Sequence, residues 1–78
     1  MARILVKTGQ FATEQVTVAV RYFESETRRG RRYSAEIEFG PDDHIILDDD
    51  SVITLEARMA RLVPATVYSR LLARTTAA

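Results

Sequence analysis

Residues 16–39 read VTVAVRYFESETRRGRRYSAEIEF, and this stretch decides the fold of the 78-residue chain. It contains two runs in which apolar and polar side chains alternate, and successive side chains of a β-strand point to opposite faces of a sheet. One face of the first run carries Val16, Val18, Val20 and Tyr22. One face of the second run carries Tyr33, Ala35, Ile37 and Phe39. The two runs therefore predict a long β-hairpin.

The register of the hairpin follows from matching the two apolar faces, because a slip by one residue turns a whole set of side chains to the other face. Matching them predicts the pairs Val18–Phe39, Val20–Ile37, Tyr22–Ala35 and Glu24–Tyr33. The same register creates two cross-strand pairs of opposite charge, which contribute ~0.2–1 kcal/mol each. These pairs are Arg21–Glu36 and Glu26–Arg31.

The predicted binding site lies at the hairpin tip, where four arginines surround the turn: Arg28, Arg29, Arg31 and Arg32. The register leaves a four-residue loop, Thr27 to Gly30, in which Gly30 can take a positive φ after a type I turn. Guanidinium groups bind phosphates and carboxylates equally well. Phe23 is a second candidate contact, because the register places this large side chain on the otherwise polar face of the hairpin.

The segments around the hairpin give weaker signals. Arg3 to Lys7 predicts a first strand, and the polar stretch 8–13 predicts a connection in which Gly9 forms a tight turn. Residues 40–43, Gly-Pro-Asp-Asp, interrupt the sheet, because proline has no amide donor for the strand ladder and aspartate favours turns. His44 to Leu47 suits either a strand or the buried entry to a helix.

The C-terminal third predicts helices. Asp48 to Ser51 forms an N-cap cluster, and the apolar residues that follow have a 3-4-3 helical spacing: Val52, Leu55, Met59 and Leu62. The alternation in residues 52–56 leaves a strand open as the alternative, with residues 48–51 as a hairpin turn. Pro64 suits the first turn of a second helix that runs to about Arg74. Residues 75–78 are expected to form a frayed tail.

The predicted fold is a single small α+β domain over residues 1–78. It consists of a three- or four-stranded, mainly antiparallel sheet with a long central hairpin, and two C-terminal helices cover one face. The predicted core contains Val6, Val18, Val20, Tyr22, Ile37, Phe39, Ile46, Leu55, Met59, Leu62, Val67 and Leu71.

The inventory of reactive residues argues against catalysis. The chain has no cysteine and one histidine, which excludes a thiolate zinc site, a cysteine nucleophile and a multi-histidine metal site within one chain. The three glycines are isolated and form no phosphate-binding loop. The acidic stretch 42–50 lacks the alternating carboxylates and central glycine of a calcium loop, so capping and turn formation explain it better, although cation binding stays open. We therefore predict no enzyme and no cofactor.

The net charge is zero but unevenly distributed. Residues 1–33 carry seven basic and three acidic groups, residues 34–56 carry eight acidic and no basic groups, and residues 57–78 carry four basic and no acidic groups. Dedicated nucleic-acid-binding domains are usually net basic. The layout indicates segments that neutralise one another within one copy or between copies.

These observations favour a non-enzymatic protein-binding or assembly module that forms a homodimer. The alternative is a nucleic-acid-binding protein that uses the arginine tip. The absence of cysteine favours a reducing compartment, and the apolar run Ile4 to Val6 is far shorter than a signal peptide or a membrane span requires. The sequence therefore predicts a cytoplasmic protein with no membrane partner.

Overall fold

The computed structural model describes residues 3–76, which form four strands followed by one helix. The elements are β1 (Ile4–Ala12), β2 (Thr17–Thr27), β3 (Gly30–Gly40), β4 (Asp43–Asp49) and α1 (Val52–Thr76). The strands form one antiparallel sheet in the order β1-β2-β3-β4, and α1 packs on one face, chiefly against β3 and β4. The predicted α+β class, with a central hairpin in an antiparallel sheet, is confirmed. Within residues 3–76, no helix combines the length and apolar character needed to cross a membrane.

The β2–β3 hairpin has the register that the sequence predicts. Its ladder runs from Ala19–Glu38 to Thr27–Gly30 and ends one pair short of the predicted Val18–Phe39 pair. The ladder includes Val20–Ile37, Tyr22–Ala35, Glu24–Tyr33, Arg21–Glu36 and Glu26–Arg31. Gly30 has φ 110°, a backbone conformation that glycine adopts without strain.

The first strand is longer than predicted, and Gly9 lies inside it rather than in a turn. Gly9 pairs with Val20 of β2. The turn after β1 is closed by Thr13, whose amide donates to the carbonyl of Val16 at 2.8 Å and whose hydroxyl accepts the Val16 amide at 3.0 Å. A threonine side chain therefore closes the turn that the sequence predicts at Gly9.

The prediction of two C-terminal helices is wrong, because α1 continues through Pro64. One buried stripe at every fourth residue runs past the proline: Leu55, Met59, Val63 and Val67. Continuing the helix past Pro64 buries Val67 and part of Leu71, and full burial of a large apolar side chain contributes ~1.5–3 kcal/mol, which offsets much of the ~3 kcal/mol that an interior proline costs a helix. Pro64 and Ala60 are both exposed, so water can solvate the carbonyl of Ala60, which the proline leaves without a helical donor.

The helix begins where the sequence predicts, and the strand alternative for residues 52–56 is wrong. The hydroxyl of Ser51 accepts the amide of Thr54 at 3.1 Å, as an N-cap residue does. Asp48 and Asp49 belong to β4 rather than to the cap. The helix continues to Thr76, so residues 75 and 76 of the predicted tail belong to α1. The rest of that tail, residues 77 and 78, lies outside the described residues.

The core lies between α1 and the sheet and contains Val18, Val20, Ala35, Ile37, Leu55, Met59, Val63 and Val67, with Tyr22, Phe39 and Leu71 partly buried at its margin. Three predicted core residues are exposed: Val6, Ile46 and Leu62. Ile46 is on the opposite face of β4 from Ile45 and Leu47, which pack against the core. An irregularity of register between Leu5 and Lys7 displaces Val6, as β-bulges do.

Candidate interaction surfaces

The backbone of the arginine tip is held by its own residues. Arg28 and Arg29 form the turn between β2 and β3. The hydroxyl of Thr27 accepts the amide of Arg29 at 3.2 Å and donates to the carbonyl of Gly30 at 2.8 Å. Both turn arginines are exposed, so the turn presents two guanidinium groups to solvent.

The four predicted tip arginines divide into two kinds. Arg31 pairs with Glu26 at 3.5 Å, and Arg32 pairs with Asp48 at 2.7 Å. The hydrogen bond to Asp48 raises the pKa of Arg32 above its usual range. Arg28 and Arg29 form no ion pair with any residue from 3 to 76. The structure therefore leaves two of the four arginines free to meet an external anion.

Acidic side chains lie beside the tip. A shallow cleft there is lined by Arg29, Arg31 and Arg32 together with Asp48 and Asp50. The mixed lining lowers the positive potential that an approaching phosphate would meet.

Phe23 lies on the sheet face that α1 does not cover, as the register predicts, but it is only partly exposed. Its neighbours on that face are Leu5 and Ser34. The guanidinium carbon of Arg3 lies 4.3 Å from the centre of the Phe23 ring, and Arg3 also pairs with Glu36 at 3.8 Å. The chain itself therefore supplies a cation for the face of this ring.

The acidic stretch attaches the helix to the sheet. Arg70 of α1 donates two hydrogen bonds to Asp43, from Nε at 2.9 Å and from Nη2 at 3.1 Å. Arg58 donates to the carbonyl of Asp48 at 2.7 Å and to the carboxylate of Asp49 at 3.2 Å. Among the residues that the structure describes, no group of three or more metal-ligating side chains comes together. Three of the five carboxylates of this stretch, those of Asp43, Asp48 and Asp49, instead bind arginines of the same chain.

We expect acid to weaken this attachment. Hydrogen bonds from Arg70 lower the pKa of Asp43, and those from the Asp50 amide and from Arg58 lower the pKa of Asp49. A carboxylate whose pKa is lower in the folded protein than in the unfolded chain stabilises the fold. This stabilisation is fully present above the pKa of the unfolded chain and is lost as the pH falls through the pKa of the folded protein. The free energy of unfolding, measured with urea, should therefore be flat near neutral pH and fall in acid.

Asp43→Asn should reduce that acid dependence, since it removes one of the two carboxylates. Asp42→Asn is the matched control: Asp42 is exposed, forms no ion pair within residues 3–76, and has φ 59°, which asparagine tolerates. Equal acid profiles for the two variants would contradict the role of Asp43.

The ion pairs join the three charge segments within one copy. Of the six pairs within residues 3–76, five link the acidic segment 34–56 to a basic segment, and the exception is Arg31–Glu26. The uneven charge layout is therefore matched inside the chain. Association with a second copy therefore needs other surface features.

One such feature is a second apolar stripe on α1, which lies beside the buried stripe and whose residues Pro64 and Tyr68 line a cleft with residues 12–15, at the turn between β1 and β2. We call it the outer stripe, and it consists of Ile53, Ala57, Ala60, Pro64 and Tyr68. All five residues are exposed, with Ile53 at 83% and Tyr68 at 58%. Spacings of three and four residues place them along one side of the helix. This stripe was not predicted from the sequence, although its spacing can be read there.

The second feature is the uncovered edge of the sheet. A helix is ~10 Å across with its side chains, whereas the outer axes of four strands spaced by ~4.8 Å lie roughly 14 Å apart. Since α1 lies over β3 and β4, every β1 residue except Phe11 is exposed, with Ile4 at 62% and Leu5 at 51%. β1 therefore presents apolar side chains and one unpaired backbone edge to solvent.

No known protein family, curated protein or solved structure matches this chain.

Proposed function

We propose that this protein is a non-enzymatic assembly module that binds protein and forms a homo-oligomer. The observation that carries the proposal is the outer stripe, because α1 presents apolar side chains on two sides and the sheet covers one of them. Burying a large apolar side chain contributes ~1.5–3 kcal/mol, so a partner that covers Ile53 and Tyr68 stabilises the complex substantially.

The polar chemistry of the described residues agrees with a binding module. The carboxylates of Asp43, Asp48 and Asp49 are bound to arginines at the surface. The proposal assigns no catalytic residue and no cofactor. We place the protein in the cytoplasm, because a chain without cysteine suits a reducing compartment.

The solution mass tests the proposal. Light scattering or sedimentation at micromolar concentration should give twice the chain mass of 8.8 kDa. A mass equal to one chain over the whole concentration range would refute self-association.

Nucleic-acid binding through the arginine tip is the second candidate, and the free guanidinium groups of Arg28 and Arg29 support it. We expect weak or no binding to random duplex or single strands at physiological salt, because Asp48 and Asp50 lie beside the tip. Where binding is detected at low salt, its log–log salt slope should be about −0.9 per phosphate neutralised on duplex, or about −0.7 on single strands.

A pair of double variants separates specific from general charge effects. Arg28→Ala with Arg29→Ala removes the two free charges, whereas Arg31→Ala with Arg32→Ala removes two charges that already have carboxylate partners. Submicromolar binding at physiological salt that only the first variant abolishes would replace the assembly function with the nucleic-acid function.

A further inference from the structure

We infer that two copies of this chain associate through an antiparallel pair of α1 helices, related by a two-fold axis near Ala60. Ile53 then packs against the partner's Tyr68, and Ala57 packs against the partner's Pro64. The inference rests on the proposed function and specifies its partner as a second copy.

The order of residues in the outer stripe supports a two-fold axis. Read from either end, the stripe begins with a large side chain, continues through smaller ones and finishes with a large side chain. A two-fold interface requires a surface that is complementary to itself, because each patch meets its own copy. One registration, centred between Ala60 and Arg61, satisfies both the Ile53–Tyr68 and the Ala57–Pro64 pairs.

The sizes of these side chains suit two crossing helices. Packed helices lie 8–10 Å apart, and small residues at the contact favour the shorter distance. Ala57 and Ala60 allow close approach at the centre, where the carbonyl of Ala60, left without a helical donor by Pro64, has to accept from water at the edge of the contact. The helices separate on either side of the crossing point, where Ile53 and Tyr68, at 83% and 58% exposure in the single copy, fill the wider gap.

Charge sets the salt dependence of the helix pair. The outer stripe contains no ionisable side chain except the tyrosine, so any unmatched charge in the pair comes from residues beside the stripe. Arg61 is exposed and adjacent to Ala60, which brings it near the two-fold axis from both copies. Salt screens this repulsion, so the dimer should hold or strengthen as salt is raised, whereas a dimer held by ion pairs would weaken.

The β1 edge is the competing surface for a second copy. Its register is irregular between Leu5 and Lys7, and such bulges disfavour edge-to-edge pairing. Its large aliphatic side chains are confined to one end, at Ile4, Leu5 and Val6. The outer stripe instead extends over four turns of one regular element.

The absence of cysteine from the chain allows a direct test with single-cysteine variants. Ala60→Cys places one thiol from each copy at the two-fold axis. Ala65→Cys is the matched control, because Ala65 is an exposed alanine of the same helix that lies off the outer stripe. Thr8→Cys, at the middle of β1, reports on pairing of the sheet edges.

Mild oxidation should link Ala60→Cys into a covalent dimer at least ~10-fold faster than Ala65→Cys. The reason is that a formed dimer holds the two thiols at an effective concentration in the mM range. Ala60→Arg, which changes an exposed residue of the single copy, should give a monomer with an unchanged circular dichroism spectrum. Non-reducing mass spectrometry detects the covalent dimer, and light scattering measures the mass of the Ala60→Arg variant.

The outcomes separate the interface from the function. If scattering gives a dimer but Thr8→Cys cross-links in place of Ala60→Cys, or Ala60→Arg stays dimeric, the helix pair is refuted and the assembly function stands. If the unmodified chain is a monomer throughout and Ala60→Cys reacts no faster than Ala65→Cys, both are refuted.

Discussion

Ile37→Asp should leave the domain unfolded at room temperature. Ile37 is fully buried in β3, between Val20 of β2 and Ile45 of β4. The change removes a core side chain and places an unpaired carboxylate in its position, a combination that costs more than ~4 kcal/mol. A single core in a domain of this size supplies ~3–5 kcal/mol of net stability. Loss of the circular dichroism signal and of the cooperative thermal transition would show the result.

Ile46→Asp is the matched control for this prediction. Ile46 lies on the neighbouring strand but on the other sheet face, where it is 50% exposed and pairs with Glu36. The new like-charge pair should cost ~1 kcal/mol or less, so this variant should stay folded. The reverse outcome, with Ile46→Asp unfolded and Ile37→Asp folded, would place the core on the opposite face of the sheet.

The hairpin could be predicted because several local constraints agree. Alternation fixes which face of each run is apolar, and the paired charges Arg21 and Glu36 select the same register as the apolar faces do. Gly30 then has to take a positive φ at the turn. The β2–β3 ladder contains no register shift, so the register that the apolar faces select applies along its whole length.

The helical region was harder to predict because the packing there is not local. The 3-4-3 spacing from Val52 to Leu62 describes one face of an isolated helix, but the face that packs on the sheet follows every fourth residue. Because of that difference, Val63 lies in the core and Leu62 is exposed. It also carries the helix past Pro64, since the stripe continues to Val67. The low helix propensity of proline predicts a helix boundary at Pro64, but burial of the side chains beyond it against the sheet overrides that propensity.

The candidate sites could likewise be predicted only where they depend on local sequence. The sequence places Arg28 and Arg29 at the hairpin tip, where they are exposed. It does not show that Arg32 binds Asp48, because β4 is brought to that side of β3 by the fold. The outer stripe was missed for a different reason. Three of its residues are small or a proline: Ala57, Ala60 and Pro64. They are recognised as part of an apolar stripe only when the structure shows which side of the helix the sheet covers.

Pro64→Ala should raise the free energy of unfolding by about 2 kcal/mol. Alanine is favoured over an interior helical proline by ~3 kcal/mol, because it donates to the carbonyl four residues earlier and removes the clash of the ring. Against this, the proline restricts the unfolded chain, which is worth ~0.4–1 kcal/mol to the native protein. Pro64 is exposed in the single copy, so the change leaves the core intact. Urea unfolding in the Ala60→Arg background would measure the effect without a contribution from assembly.

Ala65→Pro in the same background decides whether α1 is one helix. In a continuous helix the amide of residue 65 donates to a carbonyl of the preceding turn, so this change should lower the free energy of unfolding by ~3 kcal/mol. If a second helix instead began at Pro64, residue 65 would lie in its first turn, where amides have no helical acceptor and proline is tolerated. Pro64→Ala would then gain almost nothing and Ala65→Pro would lose little. Opposite shifts of the two variants therefore follow from the continuous stripe of Leu55, Met59, Val63 and Val67 and from no arrangement that ends the helix at Val63.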